Sequence, residues 1–219
     1  DLARRQRQMC IRDSPMVVKN VKKRLTKSTS NFIEEYPSSV TGTDCVRLIQ
    51  LFESNLKLQT VGVSTVGFDP KIKDDKEISL TKDLVDNNPE WGAAMVPILK
   101  ALHTNVEKYV EKYDSLNSVD KWMLEAPAIN FQRFLPNQGY KKWHCENVGK
   151  KSSVRTLVWM LYLNTVEDKG GTDFYYQDLT CKAELGKMVI WPPYWTHLHR
   201  SQVSPSEMKY ILTGWMAYV

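Results

Sequence analysis

In the first half of the chain, apolar residues recur every three or four positions, which is the spacing of one face of a helix. One stripe follows the turn Thr41-Gly42-Thr43-Asp44, where Thr43 or Asp44 is placed to accept an N–H of the first helical turn. A longer stripe begins after Asn88-Pro89 and runs to about Tyr113. The stripes consist of Cys45, Leu48, Ile49 and Phe52, and of Trp91, Met95, Ile98, Leu99, Leu102, Val106, Val110 and Tyr113. The pattern predicts two amphipathic helices, each with one face against a core.

After Lys121 the period changes to two, which is the period of a β-strand. The segment 155–164 is almost continuously apolar, so we expect a strand covered on both faces. Short strands after a helical layer, without βαβ alternation, predict a mainly β domain of α+β class, a sandwich or barrel braced by N-terminal helices. The other predicted strands are 128–134, 174–176, 188–191 and 209–219.

Composition places the chain among globular proteins, since 42% of its residues are hydrophobic and 25% are charged. No apolar run has the length of a membrane span, and the first residues do not resemble a signal peptide, so we expect a cytoplasmic protein. The four cysteines are widely spaced and form no CxxC. They therefore predict neither a zinc cage nor a disulfide framework.

The net charge of +5 comes from one end of the chain. Residues 1–30 hold nine Lys/Arg and two Asp, which is +7, so the remainder is 5 − 7 = −2. We expect a basic, solvated tail at 1–30, with 1–14 a dispensable lead-in, and a single domain at 31–219. A nucleic-acid-binding function driven by this tail is a less favoured hypothesis.

The candidate chemistry lies in His144-Cys145-Glu146. On a strand, residues two apart point to the same face, so the imidazole and the carboxylate would meet while Cys145 faces away. A histidine from the distant segment Thr196-His197-Leu198-His199 would complete a 2-His-1-carboxylate set, which suits Fe(II) with open positions. Taken alone, His-x-Glu is also typical of an ordinary exposed strand or turn.

Further motifs follow in a definite order after the His-x-Glu, which itself comes after a Gly-Tyr turn. They are Arg155 at the start of the apolar strand, Gly170-Gly171-Thr172-x-Phe174, Gly186 before an apolar strand into Trp191-Pro192, His199, Lys209 ten residues later, and Trp215. In this order and spacing, residues 125–219 resemble the Fe(II)- and 2-oxoglutarate-dependent oxygenases, in particular the prolyl 4-hydroxylase-like branch. The resemblance implies a distorted double-stranded β-helix at 125–219, with 31–124 as a helical support.

The resemblance also implies roles for individual residues. His144, Glu146 and His199 would bind Fe(II), and Lys209 would pair with the distal carboxylate of 2-oxoglutarate. A fixed cation is needed there because an unpaired buried carboxylate is costly. The implied reaction uses O2 and 2-oxoglutarate to hydroxylate a C–H bond and releases succinate and CO2; ascorbate remains open as a further cofactor. The substrate, peptidyl proline or a small molecule, and the oligomeric state are left open, and no membrane partner is expected.

The sequence departs from the family at two positions. The metal-binding carboxylate, usually Asp, is Glu146, and a tyrosine that often donates to 2-oxoglutarate is replaced by Phe134. That donor is either missing or supplied from elsewhere, with Tyr162 and Thr213 as the candidates. The spacing to Lys209 favours His199 over His197 as the ligand, and the alternative is a cupin-like metal-binding module that uses both histidines without 2-oxoglutarate chemistry.

Overall fold

The computed structural model describes residues 30–64, 67–118, 122–124 and 128–218. Residues Phe32–Val219 form one compact unit. The predictions of a basic tail and of a dispensable lead-in at 1–14 concern residues that lie almost wholly outside the described part of the chain.

The described helices are α1 (Gly42–Ser54), α2 (Lys82–Asn87) and α3 (Pro89–Lys112). Helices α1 and α3 confirm the two helices that the apolar stripes predicted. Asn88 accepts hydrogen bonds from the N–H groups of Glu90 and Trp91 at the start of α3, where Pro89 occupies a position that needs no donor. The prediction for the cap of α1 was wrong, because Thr41 accepts from the N–H of Asp44 and Thr43 lies inside the helix.

Thirteen strands are present in the described residues. They are β1 (Glu34–Tyr36), β2 (Thr60–Val61), β3 (Lys73–Asp74), β4 (Lys76–Thr81), β5 (Trp122–Leu124), β6 (Ala128–Phe134), β7 (Gly139–Tyr140), β8 (Arg155–Tyr162), β9 (Thr172–Phe174), β10 (Leu179–Cys181), β11 (Met188–Trp191), β12 (His199–Ser201) and β13 (Lys209–Tyr218). Four of the predicted strands are confirmed within two residues at each end, and the strand predicted at 174–176 lies two residues earlier, at β9.

These strands form antiparallel sheets. The large sheet has the order β1-β11-β8-β13-β6-β4-β2, with β5 paired to β13 off this path. A smaller sheet has the order β10-β9-β12, and β3 pairs with β7. The fold is therefore mostly antiparallel β-structure with some helices, as predicted.

Strand β8 separates two apolar cores. Leu157, Trp159 and Leu161 point to the core shared with α1 and α3. The alternate side chains, among them Val158 and Met160, point to a second core that includes residues of the smaller sheet. This alternation explains why the sequence of β8 is apolar at nearly every position, since both faces of the strand are buried. The second face of the large sheet also carries the site described next.

Candidate active site

His144 and His199 meet on an isolated antiparallel β-bridge. Each donates its backbone N–H to the carbonyl of the other, at N···O distances of 3.0 and 2.9 Å. The bridge brings residues 55 positions apart in sequence to directly opposed places, and their ring centroids are 4.3 Å apart. The structure thereby selects His199 as the partner of His144.

Glu146 joins the two histidines from an irregular segment. The expected strand at 144–146 is wrong, because only His144 makes a β-bridge there and the backbone bends at Glu146. The N–H of Glu146 donates to the carbonyl of Pro193 at 2.9 Å. The carboxylate still converges on the imidazoles, with its Oε1 3.4 Å from His144 Nε2 and 3.5 Å from His199 Nε2.

The polar atoms of these three side chains that point away from the centre also have hydrogen-bond partners. The Nδ1 of His144 lies 2.9 Å from the carbonyl of Lys142, and the Nδ1 of His199 lies 3.0 Å from the carbonyl of His197. These carbonyls require an N–H on each Nδ1, so each neutral ring presents an Nε2 lone pair to the centre. The second oxygen of Glu146, Oε2, accepts from Trp215 Nε1 at 3.1 Å.

The donor set fits a divalent cation. Two imidazole lone pairs and one carboxylate oxygen point to the same place, where they repel one another unless a cation lies between them. Burial would raise the pKa of Glu146, but the imidazoles of His144 and His199 beside its carboxylate hold that pKa well below its usual range. Burial, together with the charge of His199, lowers the pKa of His144 and so favours the neutral form that binds metal. In the described part of the chain, these three residues are the group that could hold a metal ion.

A cavity of about 240 Å³ opens beside the ligand group. Its floor is made of cross-strand pairs from β6 and β13, whose inward side chains alternate as the pleat requires. In order along the strands, these pairs are Phe134 with Lys209, Gln132 with Ile211, and Asn130 with Thr213. Trp215 continues the row towards the triad, so one wall of the cavity connects Lys209 to the metal ligands.

Lys209 is suited to bind an anion at the deep end of this row. The side chain is 4% exposed, and its Nζ donates to the carbonyl of Gly170 at 2.9 Å and to Ser201 Oγ at 2.6 Å. Gly170 has φ of +75°, and an added Cβ would lie 2.4 Å from Val166, so this turn requires glycine. An ammonium has three N–H groups, and the third finds no acceptor among the described residues.

The expected replacement for the missing tyrosine is not supported by the placement of either candidate. The hydroxyl of Tyr162 lies outside the cavity lining, 2.7 Å from Thr172 Oγ1 and 3.3 Å from the carbonyl of Cys181. Thr213 does line the cavity, but its hydroxyl donates to the carbonyl of Trp159 at 3.1 Å. Phe134 lines the cavity too, with its ring centroid 5.0 Å from Lys209 Nζ.

His197 is placed apart from the ligand group. It lies at the end of a 3-10 turn, Trp195–His197, and is buried, with its Nδ1 2.9 Å from Thr196 Oγ1. The turn replaces the extended segment that would have put both histidines on one face. The two-histidine, cupin-like arrangement therefore finds no support in the geometry.

Sequence reasoning did not assign the residues that hold Glu146 from outside. Arg155 Nη1 donates to the backbone carbonyl of Glu146 at 3.0 Å and lies 3.4 Å from its Oε2. The guanidinium also stacks over Trp215, with Cζ 3.6 Å from the ring centroid. Both residues appeared in the sequence only as members of a motif series, because neither the stack nor the contact to Glu146 has a local signature.

Comparison with known proteins agrees with this geometry. Residues 129–217, which contain the triad and Lys209, match the model of the 2OG-Fe(II) oxygenase superfamily. No curated protein matches the chain in sequence. None of the helices in the described part of the chain combines the length and hydropathy that a membrane span requires.

Solved structures of prolyl hydroxylases share the fold. A viral collagen prolyl hydroxylase from Paramecium Bursaria Chlorella virus-1, in complex with 2OG, is 18% identical, with a TM-score of 0.64 over 87% of this chain and 98% of that one. A prolyl hydroxylase from Trichoplax adhaerens, in complex with a hypoxia inducible factor peptide fragment, is 12% identical, with a TM-score of 0.65 over 94% of both chains. A Pseudomonas putida prolyl-4-hydroxylase is 13% identical, with a TM-score of 0.61 over 86% of this chain and 93% of that one.

The fold and the site together define a dioxygenase that depends on Fe(II) and 2-oxoglutarate. Residues 129–217 match the 2OG-Fe(II) oxygenase superfamily, and the chain is a hydroxylase of this kind whose fold is shared with prolyl hydroxylases. Its cofactor is Fe(II), and its co-substrates are 2-oxoglutarate and O2.

Proposed function

We propose that this hydroxylase acts on a residue of a polypeptide, and that this residue is proline. The observation that carries the proposal is the wall of the cavity next to the triad, where the flat indole of Trp215 is fixed by Arg155 on its face and by Glu146 at its Nε1. An indole in the lining of a cavity offers an apolar surface that suits a saturated ring. The prolyl hydroxylases that share the fold support the same substrate class.

The residues of this chain have separate tasks in the proposed reaction. His144, Glu146 and His199 would hold Fe(II), and Lys209 would bind the distal carboxylate of 2-oxoglutarate. Bound Fe(II) with 2-oxoglutarate supplies oxidation of a C–H bond by O2, with succinate and CO2 as co-products. The protein orients the co-substrate and places the substrate carbon at the metal.

The same proposal includes a finer description of the fold. We interpret the large sheet and the β10-β9-β12 sheet as the two walls of a distorted double-stranded β-helix, with the triad between them. The shared second core of β8, β9, β10 and β11 supports this description. Residues 31–219 would then form a single catalytic domain, with the helices bracing the outer face of the large sheet.

Succinate formation from 2-oxoglutarate, measured with and without Fe(II), tests the proposed function. The panel contains blocked proline peptides, the same peptides with alanine for proline, free amino acids and small metabolites. We expect stimulation by proline peptides only, and mass spectrometry should locate one added oxygen on the proline. Stimulation by a metabolite with none by any peptide would contradict the proposal, and Glu146→Ala serves as the inactive control.

A further inference from the structure

A shallow depression of about 380 Å³ lies beside the catalytic cavity. Arg200 and Ser201 line both the cavity and this depression, so the two adjoin along β12. The depression is lined by Lys141, Lys169, Asp173, Arg200, Ser201, Gln202 and Val203. A chain that leaves the cavity past Arg200 would enter it directly.

The charges of the depression are mainly positive. Three cations line it, and the single carboxylate, Asp173, is already engaged by Arg200 Nε at 3.4 Å and by Thr180 Oγ1 at 2.7 Å. The Nζ of Lys141 donates to the backbone carbonyl of Pro70, which leaves its charge uncompensated. Lys169 is exposed and forms no ion pair with a described residue. Two lysines therefore present free positive charge next to the cavity.

Aromatic rings continue this surface on the other side of Arg200. The guanidinium carbon of Arg200 lies 4.4 Å from the ring centroid of Trp143, and Trp143 meets Tyr175 edge to face at 5.1 Å. Tyr176 follows at 5.1 Å, and the two tyrosines are 57% and 60% exposed. Exposed, contiguous aromatic side chains commonly mark a binding surface.

We propose that this depression and its aromatic border bind the part of a polypeptide substrate that flanks the hydroxylated residue, and that this flanking segment is acidic. The inference rests on the proposed function, since it deepens the description of the same substrate. Lys141 and Lys169 would attract Asp or Glu side chains, while Trp143 and Tyr175 would contact apolar groups of the peptide. Cations beside apolar rings suit a peptide better than an inorganic anion, which would use the cations alone.

Fluorescence anisotropy on the full chain tests this surface with defined probes. The first probe is a labelled, blocked peptide with a central proline flanked by glutamates. Two matched peptides carry glutamines or lysines in place of the glutamates. We expect the glutamate peptide to bind about tenfold more tightly than the glutamine peptide, since a few exposed ion pairs act together. The difference should shrink as salt is added, because exposed charges are screened.

The double variant Lys141→Glu/Lys169→Glu should abolish the preference for the glutamate peptide. A matched control, Lys100→Glu/Lys108→Glu, makes the same change in net charge at two exposed positions of α3 and should retain the preference. The basic residues of 1–30 are constant in this comparison. Circular dichroism and thermal unfolding check that each variant is folded. If the charge reversal unfolds the protein, Lys141→Gln/Lys169→Gln removes the two positive charges without adding negative ones.

Several results would overturn the inference. The first is equal binding of the glutamate and glutamine peptides. The second is an equal loss of affinity for the glutamate peptide in both double variants. The third is tight binding of a labelled single-stranded oligonucleotide through Lys141 and Lys169, with no binding of the glutamate peptide. If the glutamate peptide binds through these lysines but is not oxidised, the docking surface stands and the assignment of proline fails. If neutral peptides are hydroxylated and the charge reversal changes nothing, the proposed function stands and the docking surface fails.

Discussion

Replacing Lys209 is the sharpest test of how this site binds 2-oxoglutarate. Lys209 lines the cavity, and among the described residues its Nζ has two acceptors for its three N–H groups. In Lys209→Ala the distal carboxylate of 2-oxoglutarate would be buried without a cation. Lys209→Met removes the same charge but retains most of the apolar stem, so it separates the loss of charge from the loss of packing.

The magnitude follows from the burial of the pair. Removing one partner of a buried ion pair costs about 3–5 kcal/mol. Since about 1.4 kcal/mol changes an equilibrium constant tenfold, both variants should weaken 2-oxoglutarate binding by roughly 100- to 5,000-fold. Iron affinity should change by much less, because Lys209 is outside the ligand group that His144, Glu146 and His199 form.

Calorimetric titration of 2-oxoglutarate into Mn(II)-loaded protein measures the first effect, and a separate Fe(II) titration measures the second. Thermal unfolding without 2-oxoglutarate is the control for the fold. Lys209→Met leaves the acceptors on Gly170 and Ser201 unpaired, so we expect a modest fall in melting temperature with the fold retained. Equal losses of iron and 2-oxoglutarate affinity, or unchanged 2-oxoglutarate affinity, would refute the role of Lys209.

Three further predictions concern the same cavity. Alanine at any one of His144, Glu146 and His199 should abolish Fe(II)-dependent turnover in a folded protein. His197→Ala should lower the turnover rate by roughly 10- to 100-fold, as expected for a residue outside the ligand set. An inactive His197→Ala variant together with an active His199→Ala variant would reverse the assignment. Burial lowers the pKa of Lys209 to about 7 in the protein without 2-oxoglutarate. Binding 2-oxoglutarate should therefore take up a proton above pH 7, so its affinity, measured by calorimetry, should be constant below about pH 7 and fall by up to tenfold per pH unit above it. For the same reason, the free energy of unfolding of the 2-oxoglutarate-free protein should gain a contribution as pH rises from about 7 towards the unfolded pKa of roughly 10.4; a flat affinity profile would contradict this reading. Phe134→Tyr places a hydroxyl near Lys209 and should lower the 2-oxoglutarate concentration needed for half-maximal succinate formation by about tenfold, since a hydrogen bond to a charged group contributes about 1.5–3 kcal/mol before any loss of packing; an unchanged requirement would show that the hydroxyl does not reach the co-substrate.

The sequence alone predicted the main helices, four of the strands and the class of enzyme. Helices α1 and α3 followed from apolar stripes and cap residues, and β8 from an apolar run, because these signals are local and repeat with the period of the backbone. The order of His144, Glu146, Lys209 and the glycine turns was sufficient to identify the class of enzyme. These residues carry chemistry that few folds combine, so their spacing is informative without coordinates.

Only the tertiary structure decided how those residues meet. The β-bridge between His144 and His199 depends on a pairing between segments far apart in sequence, and a 3-10 turn removed His197 from the face it would occupy on a strand. The engaged hydroxyls of Tyr162 and Thr213 likewise depend on carbonyls of other strands. Hydrogen-bond partners across a sheet are set by register and by the path of the chain, and neither is encoded in the local period.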